Sequence, residues 1–90
     1  MVTIERVQTG FRMERGLLKV LKGLAEFHDV SLGDLVEGIV LHAFEGTSPF
    51  GAESLAVVGQ LRTVYGVTLT SADAHRLQEG PAAPSPGEGA

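Results

Sequence analysis

The 90-residue chain predicts a mainly α fold. A short strand and two amphipathic helices form a β-α-α unit that closes only as an intertwined homodimer, and a C-terminal helical extension follows. Three observations lead there. One stretch near the N-terminus alternates with period two, two helical stripes follow it directly, and no second convincing strand exists to pair with the first.

The alternation runs from Arg6 to Met13. Val7, Thr9, Phe11 and Met13 hold the odd positions, and Arg6, Gln8, Gly10 and Arg12 the even ones. Period two marks a strand with one buried face. From Glu14 the period lengthens. Leu17, Leu18, Leu21, Leu24, Ala25 and Phe27 or His28 form a stripe, with Glu14, Arg15, Lys19, Lys22 and Glu26 mostly off it. The spacing predicts a helix over 14–28, in which Gly16 and Gly23 each cost about 1 kcal/mol relative to alanine.

Asp29 and Val30 break that helix, and Ser31 with Asp34 three residues on has the form of a capping box. Leu32, Leu35, Val36, Ile39, Val40, Ala43 and Phe44 then give the strongest helical period in the chain. This predicts a second helix over 32–45, with Gly46 as a left-handed cap. After the turn-rich link 47–51, residues 52–65 read as a third helix with Leu55, Val58, Leu61, Arg62 and Tyr65 on one face and Gly66 as its stop. An extended piece, 67–69, precedes a second capping pattern, Thr70 with Asp73, and a short helix to about Leu77. The chain therefore divides into a core at 1–46, a helical extension at 47–79 and a Pro/Gly/Ala-rich tail at 80–90 expected to be disordered.

Composition narrows the function. Apolar residues make up 43% of the chain and charged residues 20%, the balance of an ordinary globular domain. No apolar run approaches the roughly 18–20 residues of a membrane span, and the first ten residues lack the pattern of a secretory signal. A cytoplasmic protein without membrane contact is expected. There is no cysteine, which excludes disulfides and thiolate metal sites. His28, His42 and His75 are not at metal-ligand spacing, so neither metal nor other cofactor is expected. Ser31, Ser48 and Ser71 read as caps or turns, and no Gly-rich phosphate loop is present. The reading is therefore non-enzymatic.

Size supplies the case for a dimer. A unit of about 40 residues without disulfides or metal rarely buries enough apolar surface to fold alone. Pairing two copies would complete a two-stranded ribbon over a core of Val7, Phe11, Met13, Leu21, Leu35, Ile39 and Phe44.

The alternating segment VQTGFRM, the helix RGLLKVLKGLAEF, the turn HDVSLGD and the helix DLVEGIVLHAF together resemble the ribbon-helix-helix family of DNA-binding proteins. The resemblance covers roughly residues 6–45 and is one of pattern and element length. It implies a dimeric, repressor-like transcriptional regulator whose ribbon enters the major groove of double-stranded DNA. Carried over by alternation, the base-reading positions are Gln8, Gly10 and Arg12, with Arg6 at the strand entrance. Arginine can bond guanine and glutamine can bond adenine in bidentate fashion. Gly10 departs from the family, which usually carries a polar side chain there. Phosphate contacts would fall at the start of the second helix, on Ser31, Leu32 and Gly33, and on Lys19. The residues alone leave Arg12 also describable as a solvated arginine, and Ser31 equally as an ordinary cap.

Charge divides the readings further. The net charge is −4, against the basic footprint usual for a nucleic-acid binder. Residues 1–22, however, hold five of the seven basic residues and two acids, so their net charge is +3. The alternative from another class is a non-catalytic dimerisation or protein-interaction module, or an antitoxin, that binds a protein partner through residues 47–79. Higher oligomers are compatible with either.

Overall fold

The structure is a computed structural model, and it describes residues 1–80. Three helices form in order: α1, Arg15–His28, α2, Leu32–Phe44, and α3, Ala52–Tyr65, followed by a 3₁₀ turn at Ser71–Asp73. The expected disordered tail lies outside the described residues from 81 onward.

The strand is the principal correction. Among the described residues there is no strand and no sheet, and residues 1–14 run as an irregular arm. The ribbon-helix-helix fold therefore does not describe this structure, because its ribbon is missing. Alternation creates an apolar face, but a strand also needs a neighbouring backbone to take its amide and carbonyl groups. Here the arm has none, and its polar backbone faces water. Its apolar side chains consequently stay out of any core: Val7 is 76% exposed and Phe11 70%.

The helices begin and end where local chemistry directs. Glu14 caps α1, its carboxylate accepting from the amides of Gly16 and Leu17 at 2.9 Å each. Asp29 ends it in the left-handed conformation. Ser31 caps α2 by accepting from the amide of Asp34 at 3.0 Å. Only that half of the expected capping box forms. Gly46 and Gly66 adopt positive φ, +73° and +65°, after α2 and α3, where a glycine avoids the Cβ clash of that conformation. The helix expected to reach Leu77 shrinks to the 3₁₀ turn, although its capping box between Thr70 and Asp73 is complete.

The core is small and centred on α1. Its buried members are Val20, Leu24, Ala25 and Val67, with Leu24 most enclosed. Val20 lies outside the stripe read from the sequence, and the stripe's Phe27 is half exposed. α3 is the main partner of α1, and α2 packs on it less extensively. Two glycines allow this closeness. A Cβ at Gly16 would stand 2.7 Å from Val67 Cγ2, and one at Gly23 would stand 2.9 Å from Leu61 Cδ2. The glycines that cost helix propensity are thus the points where neighbouring segments approach α1.

Arg62 ties the end of α3 to the segment after it. Its guanidinium donates to the carbonyl of Leu69 at 2.6 Å and that of Val67 at 3.4 Å. These bonds hold the segment after α3 in place, with Val67 in the notch above Gly16. At the other end of α3, His28 Nε2 meets Ser54 Oγ at 2.9 Å, joining the last turn of α1 to the first turn of α3.

Candidate interaction surface

α2 carries apolar residues around much of its circumference, interrupted by Asp34, Glu37 and His42, yet none of its side chains is buried. A helix apolar on all sides normally sits inside a protein. Leu35 and Ile39 are half-buried, as is Leu21 of α1. On the outer side, Glu37, Val40, Leu41 and Phe44 follow i, i+3, i+4, i+7 spacing and form one ridge. Exposure rises along it, from 39% at Val40 through 63% at Leu41 to 82% at Phe44.

The residues expected to form a dimer core therefore separate into two groups. Leu21, Leu35 and Ile39 contribute to packing within the chain. Val7, Phe11, Met13 and Phe44 are on the surface. The division stems from the missing strand: without a ribbon there is no second layer to cover the arm or the end of α2.

Several of the residues expected to contact DNA are engaged within the chain. Arg6 forms a two-pronged ion pair with Glu37, Nε to Oε2 and Nη2 to Oε1, both at 2.9 Å. That hydrogen-bonded pairing, with the attraction between the charges, holds the Glu37 carboxyl below the usual carboxylate range and raises Arg6 further. Arg12 pairs with Glu79. Gln8 and Gly10 are exposed on the arm between them. Lys19 stands over the ring of Tyr65, 5.6 Å from its centroid. Ser31 is engaged in its cap, with half-buried Leu32 and exposed Gly33 beyond it. Both arm arginines already meet a carboxylate.

A shallow groove of about 430 Å³ lies on another side of α2, floored by Leu35, Ile39, Pro49 and Phe50 and edged by His28 and His42. His42 Nδ1 donates to the carbonyl of Gly38 at 2.7 Å within its own helix. Among the described residues, no group of three or more histidine, cysteine or acidic side chains could hold a metal ion. No helix there is long and apolar enough to cross a membrane.

The sequence pattern does not reveal the ridge as a surface. Phe44 and Val40 belong to a stripe expected to turn inward, and Leu41 belongs to no stripe. The signal it does hold is the breadth of apolar residues around α2, too wide for one neighbour to cover. No protein-family model, curated protein or solved structure matches the chain. The resemblance drawn from residues 6–45 thus stands on sequence pattern alone, and its strand does not form.

Proposed function

We propose that this chain is a non-catalytic interaction module that acts by docking the apolar ridge of α2 against another protein surface. The observation that carries this reading is the ridge itself, Val40, Leu41 and Phe44, exposed on a helix without a buried residue. Contiguous exposed apolar surface is costly in water and characteristic of binding sites. The module works in the cytoplasm, as the sequence suggests, and uses no cofactor.

A combined measurement tests the reading: sedimentation of the full chain over a range of concentrations, and fluorescence of a dye that responds to apolar surface. The wild type should either self-associate or bind the dye. The double variant Leu41→Lys, Phe44→Lys should lose that property while keeping its helical circular dichroism. A wild type that neither associates nor binds dye would sink the proposal.

A DNA-binding regulator is the second reading, favoured by the +3 charge of residues 1–22. The ion pairs of Arg6 and Arg12 with carboxylates weigh against it. Without a ribbon, its support is electrostatic and not specific for sequence. A mobility shift at low salt on the DNA upstream of the coding region tests it. A shift weakened by Arg12→Ala would favour it, and no shift at all would remove it.

A further inference from the structure

His28 and Ser54 join two helix ends of opposite polarity. His28 lies in the last turn of α1, the negative end of that helix dipole, and Ser54 in the first turn of α3, the positive end. Their contact, Nε2 to Oγ at 2.9 Å, has the spacing of a nucleophile and its base. With the ring proton on Nδ1, the hydroxyl donates and Nε2 accepts. The Phe27 ring meets the imidazole edge-on, 5.1 Å between centroids, and restricts its rotation.

Both residues line the groove floored by Leu35, Ile39, Pro49 and Phe50. Its volume of about 430 Å³ gives room for a short apolar chain beside the hydroxyl. Asp34 lines the same groove, and its negative charge favours an imidazolium there. On the serine side, the cap of α3 is Gly51, with no side-chain bond to the first-turn amides. A helical side chain leans towards the N-terminus of its helix, which brings Oγ towards those amides. They are donors for an oxyanion formed at Ser54. A proton moved from Ser54 to His28 thus creates charges that both helix ends and Asp34 favour.

We infer that Ser54 is a reactive serine that accepts an acyl group from an activated ester with a short apolar acyl chain. The hydroxyl oxygen attacks the ester carbonyl carbon as its proton passes to His28 Nε2. The first-turn amides of α3 hold the tetrahedral oxyanion. Collapse breaks the bond to the leaving alcohol, which departs with the proton from His28, and Ser54 is left as an ester. Nothing is oxidised or reduced, and His28 ends as it began. The step is a single covalent modification without turnover. It goes beyond the docking reading and does not depend on the α2 ridge.

Reaction of the full chain with p-nitrophenyl hexanoate tests it, followed by nitrophenolate release and by mass mapping of the product. One hexanoyl group per chain should appear, on Ser54. Ser54→Ala should remove that label. His28→Gln, which can still bond the hydroxyl but cannot take its proton, should slow the reaction about a hundredfold. Ser48→Ala, in the turn before α3, should react as wild type. The acetyl ester should react about tenfold more slowly than the hexanoyl one, since it leaves the groove unfilled. Circular dichroism checks that each variant stays helical. Label confined to lysines or the N-terminal amine would overturn the inference, as would a Ser54 label formed at the wild-type rate in His28→Gln. Equal rates for the two esters would overturn the placing of the acyl chain in the groove.

Discussion

Arg6 and Glu37 show how an exposed pair holds one point of an irregular segment that Arg12 also ties to Glu79. Both groups are well exposed, and exposed ion pairs contribute little to stability. Their two-pronged geometry still leaves a titration signature. Glu37 has a depressed folded value, caused first by the hydrogen bonds from Arg6 and then by its charge. Such a group adds stability that is fully present above its unfolded value of about 4.3 and is lost as pH falls through the lower folded value. The pair therefore loosens only in acid, and neutral pH leaves it intact. Arg6→Ala should return Glu37 to the ordinary carboxylate range, as followed by carboxyl chemical shifts during an acid titration. An unchanged midpoint would show that the pair does not form in solution.

At the scale of the element, the helix boundaries were the most legible part of the sequence, and the two glycines of α1 the least. Capping by Glu14, Ser31, Gly46 and Gly66 depends on chain neighbours, so the helix boundaries could be read to within about a residue. Gly16 and Gly23 looked like weaknesses because propensity counts only the helix they belong to. Their purpose depends on Val67 and Leu61, tens of residues away, and that is not local information. The two sites should respond differently to alanine. At Gly16 the new methyl meets the short, branched and buried Val67. Overpacking of about 1–3 kcal/mol should outweigh a helix gain of about 1 kcal/mol. At Gly23 it meets the end of the longer Leu61 side chain, which can turn aside, so gain and cost should nearly cancel. Thermal unfolding of both variants checks this. Equal behaviour at the two sites would contradict the packing described for them.

For the whole molecule, the core is slight. Val20, Leu24, Ala25 and Val67 are its buried residues among those described, and Leu24 alone is almost completely enclosed. Leu24→Ala should cost about 2–5 kcal/mol, a large share of the stability of a domain this small. Loss of the cooperative transition in denaturant is the expected outcome. A change under about 1 kcal/mol would mean that α1 is not the centre of the fold.

Period, caps and breaks determined the three helices and the bend between the first two, because these depend on residues within a few positions of one another. Charge counting likewise separated a basic N-terminal segment from an acidic remainder. Tertiary structure decided the rest. It withheld a strand from residues 6–13, because alternation supplies a face but no hydrogen-bonding partner. It chose α3 as the main neighbour of α1, through two glycine notches whose fillers lie far along the chain. It also turned the ridge of α2 to solvent. Apolar breadth is written in the sequence, but which side remains uncovered depends on how many neighbours the fold brings to it.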